Sequence, residues 1–135
     1  MRDVHSGLLN TSAHVVLAQM LLFTSLFAQP GVLQAAEVSS DQGRRSYEKG
    51  VALFREGDAD GAIEALKKSL QQNPSQPEAY HLLGLVYFNG KRNPDEAVQA
   101  FNQSLKLNPR SAEVLNHLAD VYLAQGKSSE AEGVL

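Results

Sequence analysis

Residues 75–109 read SQPEAYHLLGLVYFNGKRNPDEAVQAFNQSLKLNP, and the order of start signals, apolar spacings and stop signals within them decides the fold. Ser75-Gln76-Pro77-Glu78 has capping-box spacing: Ser75 is placed to accept a backbone N–H and Glu78 to reach back to it. A helix is predicted from there. Tyr80, Leu82, Leu83, Leu85, Val86, Tyr87 and Phe88 cover more than one face of it, as suits a helix packed on both sides, and Gly90 ends it. Asn93-Pro94-Asp95-Glu96 is a second start: an Asn cap, a proline where its missing N–H costs nothing, and acids at the positive end of the helix dipole. Ala97, Val98, Ala100, Phe101, Leu105 and Leu107 follow at three- and four-residue spacings until Asn108-Pro109 stops the helix. The product is a helical hairpin over 77–111. Gly84 is expected to face Ala97 or Ala100 across it, because a glycine in mid-helix costs about 1 kcal/mol relative to alanine and needs a steric reason.

The same pattern recurs every 34 or 35 residues. Gly50 aligns with Gly84, Leu83 with Leu118, Tyr87 with Tyr122, Gly57 with Gly126, Ala62 with Ala97 and Ala131, and Asn73-Pro74 with Asn108-Pro109. A period of this size means stacked helical units rather than one closed core. The second unit, in Tyr80, Leu83, Gly84, Tyr87, Ala97, Phe101, Ser104 and Pro109, resembles the tetratricopeptide repeat, with one residue inserted in its turn. The third matches in Leu115, Leu118, Ala119, Tyr122, Gly126, Ala131 and Leu135, and the first in Gly50, Leu53, Gly57, Ala62, Leu66, Ser69 and Pro74. Ser46 and Lys49 depart from the large apolar residues of the pattern, as a first repeat with a polar outer side does. The resemblance implies an all-α fold, a right-handed superhelical array of antiparallel helix-turn-helix repeats. Repeat 1 is assigned to 43–76, repeat 2 to 77–111 and repeat 3 to 112–135, the last cut short in its second helix, where Ser128 or Ser129 is the expected cap. The unfinished third repeat suggests the N-terminal piece of a longer array, or a chain completed by a partner.

The first 36 residues differ. Residues 15–28 (VVLAQMLLFTSLFA) are an apolar run followed by Pro30-Gly31, shorter than the roughly 20 residues of a membrane-spanning helix. Ahead of the small residues Ala35 and Ala36, such a run reads as a secretory signal peptide, with an uncleaved membrane anchor and a helix packed on the repeats as the other readings. An exported location, periplasmic or extracellular, follows from the first. Residues 37–42 (EVSSDQ) are expected to be a polar linker in which Ser39, Ser40 or Asp41 caps the first helix.

Composition limits the chemistry. The net charge of −3 is spread over interspersed residues and gives no bias toward nucleic acid, and the lack of cysteine excludes disulfides, thiolate zinc sites and a cysteine nucleophile. His81 and His117 fall at near-equivalent places in successive repeats, but no third ligand with metal spacing is apparent, so no metal and no cofactor are expected. Ser69 and Ser104 occupy small-residue positions and read as packing residues rather than nucleophiles. Asp58, Asp60, Asp95 and Glu96 sit at helix starts, where the dipole explains them. No catalytic constellation emerges.

The resemblance places the binding surface on the concave side. Its residues here are Arg44, Tyr47, Val51, Phe54 and Arg55; then Glu78, His81, Leu85, Phe88 and Asn89; then Glu113, Asn116, Asp120, Leu123 and Ala124. Val51, Phe54, Leu85, Phe88 and Leu123 form an apolar strip that suits an extended peptide or an amphipathic helix; packing between adjacent repeats is the other use for Phe54, Phe88 and Leu123. Relatives that grip the C-terminal carboxylate of chaperones place Lys and Asn where this chain has Tyr47, Val51, His81, Leu85, Asn116 and Asp120, so no such clamp is expected. The implied function is a non-enzymatic scaffold for a protein or peptide partner. Substrate positioning for a catalytic domain beyond residue 135, and assembly of an outer-membrane or pilus complex, are the alternatives. Self-association through the unfinished repeat is allowed, and membrane contact only through the N-terminal segment.

Overall fold

The computed structural model describes residues 30–135, with side chains from Gln34 onward. The apolar run expected to be a signal peptide or anchor lies outside the described residues. Among the described residues no helix is long and apolar enough to cross a membrane. The chain divides into two compact units, 1–38 and 39–135, and the repeats belong to the second. The helices are α1 (Pro30–Glu56), α2 (Ala59–Gln72), α3 (Pro77–Leu85), continued by a π-helical turn (Val86–Gly90), α4 (Pro94–Leu107), α5 (Ala112–Ala124) and α6 (Ser128–Val134).

Residues 37–42 are helical and not a linker. The helix begins at Pro30, where a proline's missing N–H costs nothing, and no glycine or proline interrupts the chain from Val32 to Gln42. Asp41 therefore lies inside α1. It pairs with Arg44 at 2.7 Å and Arg45 at 2.8 Å, one turn on, instead of capping a terminus.

The expected capping box at Ser75 is also replaced. Gln76 is the N-cap of α3, without a side-chain cap bond, and Pro77 occupies the first turn. Asn73 Oδ1 accepts from the Ser75 N–H at 3.2 Å and builds the preceding turn. Three other starts are capped by side chains: Asp58 accepts from Gly61 N at 2.9 Å, Asn93 from Glu96 N at 3.4 Å and Ser111 from Val114 N at 3.4 Å. At α6 the N-cap is Lys127, so Ser128 and Ser129 lie within the helix, and the Ser129 hydroxyl donates to Glu130 at 2.8 Å.

All three hairpin turns close with the same bond. Asp58 N donates to Leu53 O, Asn93 N to Tyr87 O and Lys127 N to Tyr122 O, each at 2.9 Å. The second turn contains one more residue than the others. The π-helical turn absorbs it, with Lys91 N reaching back five residues to Val86 O at 3.1 Å. As a result the left-handed position, held by Gly57 (φ 84°) and Gly126 (φ 74°), falls on Arg92 (φ 54°) and not on Gly90.

Two apolar clusters hold the hairpins together. The first comprises Ala62, Leu66, Ala79, Leu83, Val86 and Ala100, joining the first two hairpins; the second comprises Ala97, Phe101, Val114, Leu118 and Val121, joining the last two. Tyr87 packs against both. Gly84 faces the Phe101 ring and not Ala97 or Ala100: a Cβ there would stand 2.5 Å from Phe101 Cε1. Gly50 likewise faces Leu66, whose Cγ would lie 2.8 Å from an added Cβ. The glycine makes room for the large residue at the middle of the paired helix, which in the second hairpin is Phe101, one turn beyond Ala97 and next to Ala100.

The buried serines do more than fill small spaces. Ser69 donates to Gly43 O at 2.7 Å and Ser104 to Pro77 O at 2.9 Å, so each second helix is tied to the backbone of its own first helix. Gln76 Oε1 lies 2.9 Å from Ser69 Oγ, which engages the side chain that would otherwise be free to cap α3.

Candidate partner groove

The groove candidates lie on α1, on α3 with its π-helical extension, and on α5. Tyr47 and Phe54 pack against the first apolar cluster, Leu85 and Phe88 against the second, and all four remain half-buried. They fill the joints between hairpins and leave apolar edges in view. Val51 is half-buried too. Leu123 differs: it is 56% exposed on α5. Arg55, Glu78, Asn89, Glu113, Asn116, Asp120 and Ala124 are exposed. Arg44 is exposed as well, and its guanidinium lies along α1 between Asp41 at 2.7 Å and Glu48 at 3.7 Å. These two carboxylates raise its affinity for its proton, the bond to Asp41 foremost.

Phe88 and Asn89 line a cleft of about 420 Å³ together with Arg92, Pro94 and Ala124. Arg92 and Pro94 were not among the residues expected from sequence. They enter because the π-helical turn moves the second hairpin's loop by one residue, and the only sequence signal was the insertion itself. Burial first, and then the charge of Glu78 on the next repeat, push the Tyr47 phenol above its ordinary value.

His81 and His117 meet across α3 and α5, with His81 Nε2 2.9 Å from His117 Nδ1 and ring centroids 5.1 Å apart. Phe101 supports both, its centroid 5.9 Å from His81 and 6.0 Å from His117, the latter ring stacked at 24°. Burial holds the His81 imidazole below its usual value; Glu113 and Glu78 oppose this and His117 reinforces it. The expectation that no third ligand accompanies the histidines is overturned. Donor atoms of His81, Glu113 and His117 all lie within 4.8 Å of one another. Glu113 precedes His117 by four residues, one helical turn, so the pair was readable once α5 was recognised as a helix. Counting only equivalent positions in successive repeats hid it.

No curated protein matches the sequence. A crystal structure of MamA is 25% identical with a TM-score of 0.67, over 70% of this chain and 51% of that one. MamA 41-end from Desulfovibrio magneticus RS-1 is 25% identical with a TM-score of 0.62, over 66% and 50%. The second TPR of Spaghetti (RPAP3), bound to the HSP90 peptide SRMEEVD, is 18% identical with a TM-score of 0.69, over 75% of this chain and 92% of that one. The chain spans about half the length of these MamA chains. A TPR repeat family matches residues 50–90 and a tetratricopeptide repeat family residues 89–135. These matches fall on the hairpins whose turn closure, packed glycines and serine ties were described above, and the chain belongs to the tetratricopeptide repeat family.

Proposed function

We propose that this repeat array is a non-catalytic interaction module that holds a peptide or partner protein on the concave side formed by α1, α3 and α5. The observation that carries the proposal is Leu123, a large apolar side chain 56% exposed, next in sequence to Ala124 in the cleft that also contains Phe88. Exposed apolar anchors beside half-buried aromatic groups supply most of the affinity of such surfaces. The Spaghetti array, of the same fold, holds a peptide. That peptide is acidic, whereas this surface has Glu78, Glu113 and Asp120 exposed. Arg44 and Arg55 are exposed among the same groove candidates and Arg92 lines the cleft, so the charges are mixed and the ligand proposed is an apolar segment whose flanks meet both signs.

Peptides selected from a random display library against the full chain test this. Selected binders should carry apolar anchors, and Leu123→Glu should weaken them at least tenfold while leaving the circular dichroism spectrum unchanged. Undiminished binding by Leu123→Glu and by Phe88→Glu would place the binding surface elsewhere. Export completes the proposal, resting on residues 15–28 and Ala35-Ala36. N-terminal sequencing of the mature chain from cells checks it, and an intact Met1 on soluble cytoplasmic protein would remove it.

A further inference from the structure

We propose that His81, His117 and Glu113 form a binding site for a divalent transition-metal ion of the zinc–copper class, bridging the second and third repeats. Two imidazole nitrogens and one carboxylate oxygen are the donor set that such borderline ions take, in preference to calcium or magnesium. Their donor atoms already lie within 4.8 Å of one another. The facing nitrogens, His81 Nε2 and His117 Nδ1, are 2.9 Å apart, and two nitrogens each about 2.1 Å from an ion stand roughly 3.0–3.4 Å apart. Opening that pair by a few tenths of an ångström is a side-chain movement. Glu113 is exposed and four residues before His117, so its carboxylate closes on the ion without any shift of α5.

The balance of protons is simple. Two neutral imidazoles share one proton between the facing nitrogens; when an ion takes its place, that proton moves to the far nitrogen of the ring that donated it. No proton is lost to solvent. Phe101 touches both rings, stacked on His117 and tilted against His81, and restrains their orientation. A cleft of about 200 Å³, lined by His81 and Glu113 with Glu78 and Asn108, adjoins the site and admits the water that completes the coordination. Because α3 and α5 belong to different hairpins, the ion fixes their relative position and with it the width of the concave side.

The test uses the full chain freed of metal and titrated calorimetrically with Zn²⁺. One ion should bind per chain, and Glu113→Gln, His81→Gln and His117→Gln should each weaken it at least tenfold. The double variant His5→Gln/His14→Gln, in the N-terminal segment, should bind as the parent does. Glu113 is exposed, so Glu113→Gln keeps the test valid even if a histidine variant fails to fold. Imidazole ¹⁵N shifts should identify His81 Nε2 and His117 Nδ1 as the coordinated atoms. Absence of binding at 100 micromolar Zn²⁺ (about 5.5 kcal/mol by the affinity conversion), binding abolished only by the His5/His14 variant, or coordination through the opposite ring nitrogens would each overturn the proposal.

Discussion

At the scale of single residues, the second hairpin turn stores strain that the other two avoid. Arg92 has φ 54° where its counterparts are glycines, and a side chain in the left-handed region costs about 1–2 kcal/mol, against about 0.5–1 kcal/mol of entropy for a glycine. Arg92→Gly should therefore stabilise the chain by about 0.5–1 kcal/mol in urea unfolding. A loss of stability would mean that the Arg92 side chain contributes more than its backbone costs. Ser104 makes the opposite case. It is 1% exposed and donates to Pro77 O at 2.9 Å, so Ser104→Ala removes the tie between α4 and α3 and should cost about 1 kcal/mol in the same assay. Asp41 gives the pH-dependent test. Its bond to Arg44 holds it below the ordinary 3.8. A carboxyl with a depressed folded-state pKa adds stability above its unfolded value and loses it as pH falls through the folded value. An NMR titration should find Asp41 ionising below 3.8 and rising toward that value in Arg44→Gln; an unchanged titration would show that Arg44 is not its partner in solution.

At the scale of elements, the first two hairpins are each built around a missing side chain opposite a large one, Gly50 against Leu66 and Gly84 against Phe101. An added Cβ at Gly84 meets the fully buried Phe101 ring at 2.5 Å. Overpacking of that kind costs roughly 1–3 kcal/mol, more than the roughly 1 kcal/mol of helix propensity that alanine gains. Gly84→Ala should be destabilising, and the penalty should shrink when Phe101→Leu is combined with it; strict additivity of the two would contradict the pairing. Gly133, in α6 with nothing within 4 Å of an added Cβ, is the control, and Gly133→Ala should be neutral or stabilising. The hairpins were legible in sequence because apolar spacing, Asn-Pro stops and Asn or Asp caps all act locally. The partner of Gly84 was not, since helix rotation across a hairpin depends on packing that periodicity alone does not fix. The start of α1 was missed for a related reason: polar residues such as Ser39-Ser40-Asp41 signal a cap only if the chain before them is not already helical. The groove candidates named from sequence lie on the three first helices, whereas Arg92 and Pro94, which the π-helical turn carries into the cleft beside Phe88, were not among them.

At the scale of the repeat array, cohesion is distributed over two separate joints. The first apolar cluster joins the first and second hairpins, and the second joins the second and third, with Tyr87 packed against both. Repeat arrays of this kind gain stability as a sum of unit and nearest-neighbour terms, so damage to one joint need not reach the other. Val121 is fully buried in the second cluster, and an aspartate there would bury a carboxylate with no basic group provided to pair it. Val121→Asp should therefore release α5 and α6 from the array, and hydrogen exchange should show their amides losing protection while those of α2 and α3 keep most of theirs. Tyr87→Ala added to this variant should lower protection in α2 and α3 further than it does alone, because the second hairpin then rests on one weakened joint. Uniform loss of protection from α2 to α6 in Val121→Asp would instead mean that the three hairpins unfold as one cooperative unit, and the two clusters would have to be regarded as a single core.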